Sequence, residues 1–188
     1  MIAEQSKEQA KDIIVEIVRQ AGGMLRNKTN LFKAFWRAHV AYAATTGRNL
    51  TEWPIVRMPN GPGIDKFHVL LGELVSAEVL AADQVEYNHG RSWGFVFRLV
   101  SDACPEMGAE AAEAVAQGVQ YVDGKRAATV SEASHFHSRA WARAAEGAEL
   151  DVFLDAMSPD EFEQMKAEAT SRRKRLERAI SCDVPPAS

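Results

Sequence analysis

Little in this sequence points to disulfide, metal or membrane chemistry. Its two cysteines, Cys104 and Cys182, lie far apart with no CxxC partner, which excludes a disulfide framework and a cysteine-built zinc site. No hydrophobic run approaches membrane-spanning length. The opening MIAEQSKEQAKDIIVEIVRQ carries charge throughout, where a signal peptide would have a basic start and then an apolar block. No export signal or membrane anchor is expected, and a reducing cytoplasm is the default location. Positive charge is not in excess either: the net charge of −4 lacks the global basic bias of a non-specific nucleic-acid binder. GxSxG, P-loop and dinucleotide fingerprints are missing. Neither an enzymatic activity nor a cofactor is expected.

What remains is an ordinary apolar and charged balance over 188 residues, enough for one domain with a real core. Ile13, Ile14, Ile17 and Val18 recur at helical spacing until Gly22-Gly23, so residues 1–26 are read as an N-terminal helix and its stop. In KTNLFKAFWRAHVAYAATTGR, Leu31, Phe35, Ala38 and Tyr42 form one row beside Phe32, Trp36, Val40 and Ala43. That wide apolar face, closed by Gly47, predicts a central core helix. Phe67, Leu70, Leu71, Leu74 and Val75 define a third helix with Asp65 as its N-cap.

The period changes from 3.6 to 2 in QVEYNHGRSWGFVFRLV, which predicts a β-hairpin at about 84–100 turning at Asn88-His89-Gly90. It is the single strand pair that the periodicity reveals. Helices follow at roughly 106–122 and from about Ser131 to Glu146. Ser158-Pro159-Asp160-Glu161 supplies an N-cap serine, a proline at the first helical position and glutamate at N3, with Met157 and Phe162 placed for a hydrophobic staple. A long C-terminal helix to about Ile180 and a short frayed tail complete 155–188. The fold class is α+β and predominantly α-helical, with no internal repeat and no linker, so the whole chain is read as one structural unit.

His135-Phe136-His137 is the most metal-like motif. On a helix, residues two apart point about 200° away from each other, and no acidic residue or cysteine stands at a matching ligand spacing. No metal site is expected. Ser131 and Ser134 precede His135 as a nucleophile would, yet both are equally explained as helix-start residues. SRRKRLERA, residues 171–179, sets five positive side chains against Glu177 alone; it either complements the dipole of its own helix end or meets a partner. Residues 28–100 also fit a winged helix, a DNA-binding regulator with Asp65–Ser76 as recognition helix. Against it, that helix offers only Lys66 and His68 beside Asp65 and Glu73, so nucleic acid is a poor partner.

The densest conformational signal is VRMPNGPGID, residues 56–65, where two prolines and two glycines fall within Pro59–Gly63. Proline fixes φ and glycine tolerates φ > 0, so this segment is built to hold one bend. Leu31-Phe32-Lys33-Ala34-Phe35-Trp36, then Thr46-Gly47-Arg48-Asn49-Leu50-Thr51, then Arg57-Met58-Pro59-Asn60-Gly61-Pro62 leading into a leucine-rich helix, together resemble the Panacea, or SocA-like, antitoxin domain. Val130-Ser131-Glu132-Ala133-Ser134-His135 and Ala140-Trp141 resemble its second half, giving a domain at 27–154. Asn60 before the Gly61-Pro62 pair, Gly63 after it and the extra His137 depart from the family's pattern. The resemblance implies a non-enzymatic antitoxin of a bacterium or phage. It would neutralise the protein toxin encoded beside it by direct binding, or, as some members do, deliver that toxin to an ATP-dependent protease. The expected partner surface is the groove formed by Met58, Pro59, Asn60, Gly61 and Pro62 with His135 and Trp141.

Overall fold

The computed structural model of the chain describes residues 2–87 and 92–182. The fold is α+β and predominantly helical, with eight helices and five short strands among the described residues. They divide into two units, Met1–Ala156 and Met157–Ser188.

The first unit is organised on α2 (Lys28–Thr46), which buries residues on every side, from Leu31, Phe35 and Trp36 to Ala38 and Val40. Around it lie α1 (Ile2–Gln20), which contributes Ile13, Ile14, Ile17 and Val18 to the same core, and α4 (Ala109–Val122). α4 approaches α2 closely because Gly118 has no Cβ; one there would collide with the Ala34 carbonyl oxygen. Phe32, Phe67 and Phe97 form an edge-to-face ladder, with centroids 4.9 and 6.0 Å apart. It ties α2 to α3 (Phe67–Ser76) and to a sheet.

That sheet holds the expected hairpin, β4 (Leu80–Tyr87) and β5 (Ser92–Leu99), running from the Leu80–Leu99 pair to the Tyr87–Ser92 pair. Its turn, Asn88-His89-Gly90, lies outside the described residues, as does the tail from residue 183. β1 (Met24–Arg26) adds a third strand along β5, giving the order β1-β5-β4. Three residues are too few to show a period, so the sequence did not reveal it.

Three further expectations are corrected. VRMPNGPGID, read as one fixed bend, is a second β-hairpin: β2 (Ile55–Met58) pairs antiparallel with β3 (Gly61–Ile64), and Pro59-Asn60 makes the turn. The helix expected over 131–146 is two, α5 (Ala127–His137) and α6 (Arg139–Arg143), broken at Ser138, whose φ of −97° and ψ of 105° are extended. Asp65 is not the cap of α3. The residue before that helix is Lys66 at φ 44°, without a side-chain cap bond; Asp65 is held instead through its backbone, its N–H donating to Pro54 O and its carbonyl accepting from Trp53 Nε1 at 2.8 Å.

α7 (Val152–Ala156) closes the first unit. In the second unit, α8 (Pro159–Cys182) begins with the expected capping box. The Ser158 N–H donates to Glu161 Oε2 at 2.7 Å, and the Glu161 N–H donates to Ser158 Oγ at 3.2 Å.

Candidate functional site

The residues singled out between Met58 and Trp141 meet in one place. Trp141 Nε1 donates to the Met58 carbonyl at 2.8 Å, and the Arg57 guanidinium lies 4.5 Å from the Trp141 ring centroid while its Nε donates to the Trp141 carbonyl. His135 stacks on the other part of this assembly, its ring 4.1 Å from that of Trp141 at an interplanar angle of 9°. Ser131 Oγ donates to the Asn60 carbonyl at 2.8 Å, and Lys33 Nζ to the Pro62 carbonyl at 2.6 Å. The outer edge of β2 is bound as well: the Arg57 N–H donates to Ala148 O, and the Gly147 and Leu150 N–H groups donate to Arg57 O and Ile55 O. Pro59 and Asn60 alone stay exposed at the tip.

Gly61 has φ 96°, in the region that favours glycine. A Cβ there would stand 2.5 Å from Ser134 Oγ and 2.9 Å from Lys33 Nζ. Ser131 and Ser134 are therefore not helix-start residues. Both lie inside α5, whose side chains brace the turn, and Ser134 is fully buried with its Oγ donating to Ser131 O.

Position and orientation of Trp141 come from a carboxylate that sequence reasoning missed. Asp155 on α7 accepts from Ser138 Oγ at 2.7 Å, from the Ala140 N–H at 2.9 Å and from Trp36 Nε1 at 3.0 Å. Ser138 in turn accepts the Trp141 N–H at 3.0 Å as the N-cap of α6. One acidic group thus fastens the core helix to the start of the helix bearing Trp141. A lone Asp in a five-residue helix gives no signal in the sequence.

The electrostatics are lopsided. Lys33 is 1% exposed, and burial alone lowers its pKa to about 7. His135 is also lowered, first by burial and then by the positive Lys33 and Arg57, with a hydrogen bond to the Asn60 backbone and the Glu132 carboxylate opposing. Its Nε2 is buried without a hydrogen-bond partner among the described residues. Beside the turn opens a cavity of about 210 Å³ whose walls include Phe32, Lys33, Met58 and Gly61.

His135 and His137 face different rings: Trp141 for the first, Tyr121 for the second, whose hydroxyl is 3.3 Å from His137 Nδ1. No group of three or more metal-ligating side chains occurs among the described residues. Phe136, between the two histidines, is 80% exposed, about 100° around α5 from His135. In the second unit the basic stretch 171–178 is exposed along α8, with Arg173 paired to Glu177 at 3.3 Å. No described helix is long and apolar enough to cross a membrane.

Comparison with family models, with curated proteins and with solved structures finds no match for this chain.

Proposed function

We propose that the protein is an antitoxin that binds and neutralises a protein toxin encoded beside it, and that the β2–β3 turn with His135 and Trp141 is the docking surface. The observation that carries the reading is the way this turn is held. Side chains of α2, α5 and α6 and the backbone of 147–150 fasten the hairpin from behind and along its edge, while Pro59 and Asn60 are presented outward. A surface fixed before binding loses little conformational freedom on binding, which favours affinity. The resemblance of 27–154 to the Panacea domain supplies the class of partner. Co-expression with the neighbouring gene product tests it, scored by rescue from toxicity and by co-purification. Asn60→Arg and His135→Ala should each weaken both readouts while the melt stays cooperative. If folded variants at both positions rescue and co-purify like the parent, this turn is not the docking surface.

One observation favours a second reading, the winged-helix regulator. The order α1, β1, α2, α3, β4, β5, with β1 paired to β5, is that of a winged helix into which β2–β3 is inserted. The exposed positions of α3 are His68, Val69, Gly72, Val75 and Ser76, with no arginine or lysine to contact phosphate. Binding to duplex DNA that falls steeply with salt would decide for this reading.

A further inference from the structure

We propose that the cavity between α2 and the β2–β3 turn receives one acidic side chain, aspartate or glutamate, from the protein partner. A partner is supplied by the antitoxin reading; the chemistry of the cavity is argued from its walls.

The chain pairs its other shielded lysines. Lys7 and Lys11 on α1 each reach Glu73 at 3.0 Å, and each holds a second carboxylate on its own helix, Glu4 and Glu8. Lys33 is more deeply buried than either, and among the described residues its one bond is to the neutral Pro62 carbonyl. An ammonium has three N–H donors, and a buried charge without a counter-charge is costly. No carboxylate among the described residues acts on it: desolvation is the sole influence on its titration.

The ionisable side chains on the cavity wall are Lys33 and Lys28, both cationic; the nearest acidic influence on this region is Glu132 on α5, which acts on His135. Lys28 stands on the cavity wall, over the Phe32 and Phe67 rings, and Arg57 lies on the adjoining strand. An incoming carboxylate meets positive charge, while its methylenes meet Phe32 and Met58. Size narrows the occupant. Small-molecule sites occupy about 300–1,000 Å³, and this cavity has about 210 Å³, room for a side chain on a turn or strand.

The test is an NMR titration of the ¹⁵N-labelled full chain with N-acetyl-glutamate methylamide and, separately, with its glutamine counterpart. The glutamate probe should shift Gly61 and the signals of residues 28–33 saturably. The glutamine probe should bind at least about tenfold more weakly, the loss of one charge-assisted bond. Lys33→Met should abolish the response, and the exposed Lys28→Met should weaken it. Equal responses to the two probes, no response, or a full response in folded Lys33→Met overturns the proposal. If Lys33→Met does not fold, the two probes on the parent protein decide alone. Co-purification with the neighbouring gene product but no preference for carboxylate rejects this inference and spares the antitoxin reading. Carboxylate binding without any partner complex rejects the antitoxin reading and the partner as the source of the acid.

Discussion

The molecule contains two hairpins that hold their shape by different means. β4–β5 pairs eight residues with eight, and the period of 2 in Phe95, Phe97 and Leu99 against Val96 and Arg98 marks it in the local sequence. β2–β3 pairs four with four. Its strands are buried over Ile55-Val56 and again from Gly61 to Ile64, and half of β3 is glycine. Glycine weakens a strand and proline gives it no donor. This hairpin depends on Lys33, Ser131 and Trp141, residues up to 84 positions away in the chain. A long hairpin carries its own instructions, whereas a short one borrows rigidity from the elements packed around it.

Gly61→Val should break the dependent hairpin most severely. A β-branched residue at φ 96° stores strain of about 1–3 kcal/mol, and its overlap with Ser134 Oγ and Lys33 Nζ adds overpacking of about 1–3 kcal/mol. Chemical denaturation measures the sum. Gly61 is consequently a poor probe of partner binding, since its replacement disturbs the fold first. Asp155→Ala comes next. It removes the acceptor of Ser138 Oγ, the Ala140 N–H and Trp36 Nε1, for a loss of about 2–4 kcal/mol. Near-ultraviolet circular dichroism should report freed tryptophans. If Asp155→Ala is as stable as the parent, the β2–β3 hairpin does not lean on α6 as argued.

The same contrast governs what could be read in advance. α2 was legible to its last residue because two apolar rows of a 3.6 period are a strong signal, and α8 because Ser158 and Glu161 form a capping box. β4–β5 was legible through its period of 2. β2–β3 was visible only as a concentration of Pro and Gly, which marks a fixed backbone but not its pairing; the pairing is set by Ala148, Leu150 and Trp141, which no local pattern links to residue 57. The break at Ser138 was hidden for a related reason. SEASHFHSRAWARAAEG holds no proline or glycine before Gly147 to mark a break, and the interruption comes from Asp155 drawing Ser138 and the Ala140 N–H to itself. Only the family resemblance groups His135 and Trp141 with the turn, and no local pattern marks Lys33, one residue of the Leu31–Trp36 motif, as buried.

Lys33 also gives the dependent hairpin a pH signature that the other should lack. The folded pKa of about 7 lies below the unfolded value of about 10.4. The unfolded chain therefore binds more protons between the two, and stability rises with pH across that window. The gain from pH 7 to 9 is about 2 kcal/mol, and below pH 7 the full penalty of the buried ammonium is present. His39 acts in the same sense lower down: burial sets it to about 4, so stability also climbs from pH 4 toward 6.5. Melts of Lys33→Met against the parent isolate the upper window. Whatever constant difference the lost bond to Pro62 makes, the variant should gain on the parent as pH falls from 9 to 6. Parallel curves would show that Lys33 is not charged against a penalty in the fold.

The smallest effect is reserved for the self-sufficient hairpin. Trp93 on β5 stands opposite Glu86 and is 61% exposed, so Trp93→Ala removes a large ring that little of the protein covers. Exposed substitutions away from caps and buried networks fall within about 0.5 kcal/mol, and the ladder bonds on either side are backbone bonds that the change leaves intact. Trp141→Ala, by contrast, removes a donor to Met58 O, a stacking partner of His135 and the surface beneath Arg57, and should cost about 3 kcal/mol. Urea titrations of the two variants side by side give the comparison its sharpest form. A loss above about 1 kcal/mol for Trp93→Ala would mean that β4–β5 needs its exposed aromatic as β2–β3 needs its buried one. The antitoxin reading adds a second expectation to the same pair. Trp93→Ala should leave co-purification with the neighbouring gene product unchanged, because the surface it alters is not the one braced by Lys33, Ser131 and Trp141.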